Sequence, residues 1–167
     1  MTTTTEKREK IYLNQLRNHA IRSPELLVPG TRAIFAHIPE HLDGDSFQGK
    51  DFIDGELAQI TAVTEMSFME LHPSAPGGFD GADEKKLVVL FEDSKGRQGY
   101  HYAADCGLVP YGTHFNPTNI VVSVDCLEAK GWEPVLEPSK GYRKDLERYN
   151  KRFNRWNGQV AGYDRIR

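Results

Sequence analysis

Five short segments with the residue pattern of β-strands most constrain how this chain can fold. Apolar and β-branched residues alternate or cluster in each segment, as they do in strands that bury one face. Loops rich in glycine, proline and acidic residues separate the segments, which lie at 31–37, 56–66, 86–92, 98–103 and 118–124. A slip in the alternation near Gln59 predicts a β-bulge in the second segment. Gly96 lies in the short connection between the third and fourth segments and predicts a hairpin there.

Helical patterns lie on either side of the predicted strands. Apolar residues share one helix face from about residue 6 to 22, and a Ser-Pro-Glu sequence at 23–25 is typical of the start of a short second helix. Nearer the C-terminus, the sequence predicts a long amphipathic helix over 139–157, bounded by a capping serine and a glycine. Its apolar face consists of Tyr142, Leu146, Tyr149, Phe153 and Trp156, and its opposite face carries Lys144, Arg148, Lys151 and Arg155.

The length of the chain indicates a single folded unit. At 167 residues with no internal repeat, it fits one domain with a sizeable core. We expect residues 1–5 to be a disordered tail and residues 6–167 to form one domain, with a helical segment at 6–28, a β core at 30–125 and the basic helix at 139–157. The longest apolar stretches are too short to cross a membrane, and the first ten residues contain no apolar segment. We therefore predict a cytoplasmic protein that does not insert into a membrane.

Residues 30–111 follow a recognisable order of short motifs. An apolar strand opened by glycine is followed by a second strand, a V-x-F-x-D sequence (VLFED at 89–93), a glycine turn and the ending Leu108-Val109-Pro110. This order resembles the SH3-like small β-barrels, and most of all their Tudor-type members. The resemblance implies an α+β fold with a small five-stranded antiparallel SH3-like barrel, flanked by the N-terminal helix and the long amphipathic C-terminal helix.

The same resemblance implies a candidate site at the rim of the barrel. Tudor-type barrels use aromatic residues at their open end to hold methylated side chains by cation–π attraction. The corresponding positions in this chain are Phe91, Tyr100 and Tyr102, with Asp93 as a charge partner. Alternation along a strand places Tyr100 and Tyr102 on one face, where they form either a cage wall or part of the core.

No pattern in the sequence points clearly to catalysis or to a metal. Residues 43–54 have acids at several positions of an EF-hand loop, but Gln48 stands where the tight turn of that loop requires glycine. His101 and Cys106 form a base and a thiol in principle, with Asp105 as the one orienting acid identified. The two cysteines, twenty positions apart, match no redox or zinc spacing and are predicted to be separate thiols. We therefore predict that the protein is not an enzyme and has no metal or cofactor.

Positive charge is concentrated near the C-terminus. Residues 138–167 carry a net charge of +6 in a chain whose net charge is −3. Such a split favours an electrostatic contact, either within the protein or with another molecule. We predict a binding or regulatory protein that contacts a partner protein through the basic helix (Lys144, Arg148, Lys151, Arg152 and Arg155) and the aromatic rim (Phe91, Asp93, Tyr100 and Tyr102).

Two alternative functions stay open at this point. The same basic residues could bind the phosphate backbone of a nucleic acid, which would make the affinity strongly dependent on salt. The loops at 39–54 and 72–84 are long for a compact domain, and such loops often carry function. They could bind a small ligand such as a nucleotide, or belong to an unrecognised hydrolase.

Overall fold

We describe the protein from a computed structural model, which covers residues 8–38, 53–108, 119–145, 147–148 and 151. The strands are β1 (Glu9–Tyr12), β2 (Arg32–His37), β3 (Asp54–Met66), β4 (Lys86–Asp93), β5 (Gln98–Tyr102), β6 (Asn119–Ser123) and β7 (Trp132–Val135). The short α-helices are α1 (Phe68–Leu71) and α2 (Val124–Ala129), and 3₁₀ helices lie at Leu13–His19, Pro24–Leu26 and Ala103–Cys106.

Five of the strands form one antiparallel sheet in the order β5-β4-β3-β2-β6. These are the five strands that the sequence predicts, each within two residues of its expected bounds, and the α+β class is confirmed. The predicted bulge in β3 is present as a register shift between Ile60 and Ala62. The predicted β4–β5 hairpin is also present, and Gly96 adopts the positive φ of 79° that its turn needs.

The predicted SH3-like barrel is wrong. In the described residues the sheet is open, with β5 and β6 at opposite edges, and β6 pairs with β2 rather than closing the sheet against β5. Short alternating strands and a glycine turn occur in open sheets and in barrels alike, because alternation specifies which face is buried and not whether the edges meet. Closure depends on pairing between distant strands, which the local pattern does not encode.

The predicted N-terminal helix is also wrong. Residues 9–12 form β1, which pairs in parallel with β7, and a 3₁₀ helix follows at Leu13–His19. Leu13 and Leu16 of the predicted apolar face are buried in the 3₁₀ helix, and Ile11, which is not part of that face, is buried in β1. Tertiary pairing with β7 therefore overrides the helical tendency of this segment.

The long amphipathic C-terminal helix over 139–157 is likewise wrong for the described part of the chain. Helical conformation is described only at 140–145, 147–148 and 151, and residues 152–157 lie outside the described residues. An apolar stripe yields a stable helix mainly where it has a surface to pack against. Tyr142 is the one residue of the predicted apolar stripe that lies within the described residues, and it packs against the core, while residues 143–145 are exposed.

Two apolar clusters cover opposite faces of the five-stranded sheet. Core 1 packs β1, α2 and the Leu13–His19 helix onto one face and contains Ile11, Leu13, Leu16, Ile34, Ala36, Ile38, Ile53, Ile120, Val122, Val124 and Leu127. Core 2 covers the other face and contains Leu27, Ala33, Phe35, Ala58, Ile60, Val89, Phe91, Ala103, Cys106, Leu108 and Val121. Successive residues of β2 and β6 enter the two cores alternately, because side chains on a strand alternate between faces. Each fully buried Leu or Ile stabilises the fold by about 1.5–3 kcal/mol.

Candidate functional site

The β4–β5 hairpin is held at its turn by the carboxylate of Asp93. Oδ1 of Asp93 accepts hydrogen bonds from the backbone N–H groups of Lys95 and Arg97, both at 2.9 Å, and Oδ2 accepts one from Arg97 Nε at 2.8 Å. The backbone hydrogen bond from Arg97 is the main cause that lowers the pKa of Asp93. The turn therefore engages both oxygens of the residue that the resemblance assigns as a charge partner.

Successive residues of β5 present their side chains to different faces of the sheet. Tyr100 and Tyr102 pair with Leu90 and Val88, so they share one face, as alternation predicts. His101 lies on the opposite face, where its ring stacks on Phe91 with 5.0 Å between ring centroids. The structure thus brings Tyr100 and Tyr102 together, at 5.6 Å between centroids, but places Phe91 in core 2 behind them.

The two tyrosines belong to a longer chain of contacting rings, which we call the aromatic row. Its members, in order of contact, are Phe79, Phe68, His72, Tyr100 and Tyr102. Neighbouring rings lie 4.7–5.6 Å apart between centroids. The Tyr100 hydroxyl lies 2.6 Å from His72 Nε2, and Lys86 Nζ lies 5.6 Å from the centre of the Tyr102 ring. Phe79 is 48% exposed and the other members are half-buried.

Residues 67–82 bring the first three rings of the row to the sheet. Ser67 Oγ accepts a hydrogen bond from the Glu70 N–H, and Glu70 Oε1 accepts one from the Ser67 N–H, both at 3.2 Å. This capping box begins α1, which carries Phe68. The Met69 N–H donates to the carbonyl of buried Ala82 and ties the far end of the segment back to α1. The Ser-x-x-Glu spacing is a local sequence signal for this helix that the sequence analysis missed.

A second feature, which we call the polar cleft, opens at the end of core 2. It has a volume of about 290 Å³. The ends of β2, β3 and β6, together with β5 and the 3₁₀ helix that follows it, line this space. The side chains that define the polar cleft are Phe35, His37, Asp54, Glu56, His101, Asp105, Cys106 and Asn119. Asp54 belongs to the predicted 39–54 loop, of which residues 39–52 lie outside the described residues.

Burial determines the protonation of the two groups that could carry chemistry in the polar cleft. Desolvation lowers the pKa of His101, although Glu56 and Asp105 act in the opposite direction. Burial also raises the pKa of the Cys106 thiol to about 12. At neutral pH the pair is therefore an imidazole and a protonated thiol, which lacks the thiolate that a cysteine nucleophile needs. Both cysteines are free, with Cys106 buried and Cys126 exposed.

Other polar groups of the cleft are satisfied by one another or face solvent. His37 Nδ1 donates a hydrogen bond to Asn119 Oδ1 at 2.8 Å, while Asp54, Glu56 and Asp105 are exposed. Within the ranges that the structure describes, no three His, Cys, Asp or Glu side chains are placed to hold a metal ion. In the same ranges, no helix combines the length and apolar character needed to span a membrane.

The structure describes the predicted basic residues only in part. Lys144, Arg148 and Lys151 are exposed, and Arg148 Nη1 lies 4.0 Å from Asp145 Oδ1. The other two members of the set, at 152 and 155, lie outside the described residues. An exposed ion pair at this distance contributes little, so these charges are available to solvent or to a partner.

Comparisons of this chain with protein-family models, with curated protein sequences and with solved structures found no match. The resemblance to Tudor-type proteins therefore stays a prediction from the residues themselves.

Proposed function

We propose that this protein is a binding protein that recognises an extended segment of a partner protein along the outer edge of β5. The observation that carries the proposal is the aromatic row. Its last two rings, Tyr100 and Tyr102, stand on the same strand that forms the edge of the sheet. Aromatic side chains supply a large share of the binding energy at protein interfaces, because each buries a large area at a small entropy cost.

The outer edge of β5 supports this mode of binding. Among the described residues β5 pairs only with β4, so alternate N–H and C=O groups of the strand point outward without a strand partner. The opposite edge differs, because the Ile21 N–H donates to the carbonyl of Val121 in β6 at 2.8 Å. Proteins usually guard an exposed edge with charged side chains or proline, and β5 (QGYHY) contains neither.

The chemistry of these surfaces favours an extended peptide with alternating apolar side chains. Such a peptide adds a strand to the sheet through main-chain hydrogen bonds, and every second side chain then faces the aromatic row. The exposed Lys144, Arg148 and Lys151 form a second contact region in this proposal, where an acidic part of the same partner would bind. A cytoplasmic location fits the exposed free thiol of Cys126, since reducing compartments keep such thiols unpaired.

A selection of binders from a random-peptide display library tests the proposal. We expect the enriched peptides to alternate apolar and polar residues. They should bind the Phe79→Ser variant about tenfold more weakly than the wild type, because losing a well-packed aromatic anchor typically costs more than about 1 kcal/mol of binding free energy. Leu26→Ser is the matched control, since Leu26 is 64% exposed and lies outside the aromatic row. Its binding should equal that of the wild type.

Two results would contradict the proposal. One is equal peptide affinity of the Phe79→Ser and Leu26→Ser variants, whether reduced or unchanged, which would place the contact elsewhere. The other is that single-stranded oligonucleotides, and no selected peptide, compete for the aromatic row, since aromatic rings also stack on bases. The second result would favour the nucleic-acid alternative.

A further inference from the structure

The ionisable side chains that line the polar cleft are predominantly acidic. Asp54, Glu56 and Asp105 line it, and no lysine or arginine of the described residues does. Among the other titratable groups that line the cleft, His37 donates a hydrogen bond to Asn119, burial lowers the pKa of His101, and burial keeps the Cys106 thiol protonated. An anion such as a phosphate would meet three carboxylates and no lysine or arginine side chain in the part of the chain that the structure describes, whereas a cation would be attracted.

Aromatic rings form the inner wall of the same cleft. The rings of Phe35 and His101 lie 4.7 Å apart, and Phe91 packs behind both at 5.0 Å from each. Phe35 and His101 line the cleft, while Phe91 belongs to core 2. A cation that lies against an aromatic face and is surrounded by carboxylates is stabilised by both. This combination is typical of sites for organic ammonium groups.

The arrangement of the acids argues for an organic cation rather than a metal ion. A bound Ca²⁺ or Zn²⁺ needs several ligands that converge on one point. In the described residues no group of three potential ligands converges in this way. The volume of about 290 Å³ lies at the lower end of the range for small-molecule pockets, so a ligand would be small.

From the acidic lining, the aromatic wall and the size of the space, we infer that the polar cleft is a binding site for a small organic cation of the alkylammonium or alkylguanidinium class. The site is separate from the aromatic row. It lies on the opposite face of β5, which contributes His101 to the cleft and Tyr100 to the row. The inference therefore does not depend on the proposed peptide binding.

The test is a titration of the full chain, followed by ¹H–¹⁵N correlation NMR, with choline, butylammonium and butylguanidinium as probes. We expect at least one probe to cause saturable shifts of the amides of Phe35, Glu56 and His101. The neutral isostere of choline, 3,3-dimethylbutan-1-ol, measures what shape alone contributes. If choline is among the probes that bind, this alcohol should bind at least about tenfold more weakly.

Matched variants assign the effect to the charge of the cleft. Glu56→Gln should lower the affinity for the probe about fivefold or more. Asp105→Asn is a second variant of the same kind. Both residues are exposed, so neither change disturbs a core. Glu65→Gln is the control, because Glu65 is an exposed residue of the same strand that does not line the cleft.

Several outcomes would overturn the inference. They are the absence of saturable shifts with every probe, equal binding of choline and its neutral isostere, and unchanged affinity in both Glu56→Gln and Asp105→Asn. Saturation of the same amides by Mg²⁺ or Zn²⁺ alone, without any effect of the organic probes, would show a metal site instead.

Discussion

The Gly99→Ala substitution tests the packing of core 2 against β5. The Phe91 ring lies directly over Gly99, and a Cβ at this position would be 2.7 Å from Phe91 Cζ and 2.8 Å from Cε2. Ordinary contact begins at 3.4 Å, so the ring must move by about 0.7 Å. Phe35 and His101 hold the ring on its other sides, each with its centroid 5.0 Å from that of Phe91. Forcing an extra methyl group into such a site costs about 1–3 kcal/mol.

Urea and thermal unfolding, followed by circular dichroism, measure this cost. We expect the free energy of unfolding to fall by about 1–3 kcal/mol and Tm to fall by about 2–4 °C for each kcal/mol. Gly141→Ala is the matched control, because a Cβ at Gly141 would meet no atom within 4 Å and the residue is helical. That change should leave stability equal or raise it by up to about 1 kcal/mol.

A double-mutant cycle separates steric conflict from a general effect of alanine in the strand. Phe91→Leu removes the part of the ring that the new methyl group meets. If the conflict is the cause, Gly99→Ala should cost at least about 0.5 kcal/mol less in the Phe91→Leu background than in the wild type. Equal costs in the two backgrounds, or a Gly99→Ala variant as stable as the wild type, would refute the reasoning.

Two further predictions concern the polar cleft. Desolvation lowers the pKa of His101 in the folded protein below its unfolded value of about 6.5. The unfolded chain therefore binds more protons than the folded one in this pH range. The free energy of unfolding should fall as the pH drops from about 6.5 toward the pKa of folded His101. Urea unfolding of wild type and His101→Gln at several pH values checks this, and an equal pH dependence of the two proteins would contradict it. Ellman's reagent at pH 8 should modify Cys126 rapidly and Cys106 only when the protein unfolds, since burial raises the pKa of Cys106 to about 12. Rapid modification of both thiols in the folded protein would show that Cys106 is accessible.

The strands of the sheet could be predicted from the sequence because their signals are local. Alternating or clustered apolar and β-branched residues defined the five strands, and Gly96 marked the hairpin. The pairing of β1 with β7 could not be predicted, because Glu9 and its partner Trp132 are far apart in the chain and the apolar spacing at residues 12, 13, 16 and 20 fits one face of a helix. The open form of the described sheet could not be predicted for the same reason, because closure depends on contacts between strands that are far apart in the chain.

The candidate sites show the same division between local and distant information. Alternation correctly placed Tyr100 and Tyr102 on one face of β5. It could not indicate that Phe68, His72 and Phe79 pack beside them, since that contact depends on how residues 67–82 fold back onto the sheet. The polar cleft combines side chains from several distant segments, so only the folded chain brings them together.

Amide hydrogen exchange of β5 tests the central claim, that this strand receives an extended partner segment, most directly. The measurement uses the full chain with and without a saturating peptide from the library selection. If the peptide adds a strand to the sheet, the outward amides of residues 98–102 should exchange at least about tenfold more slowly when it is bound, because each then donates a hydrogen bond. The amides of β6, at the other edge, should not change. Unchanged exchange along β5 at full saturation would contradict the claim.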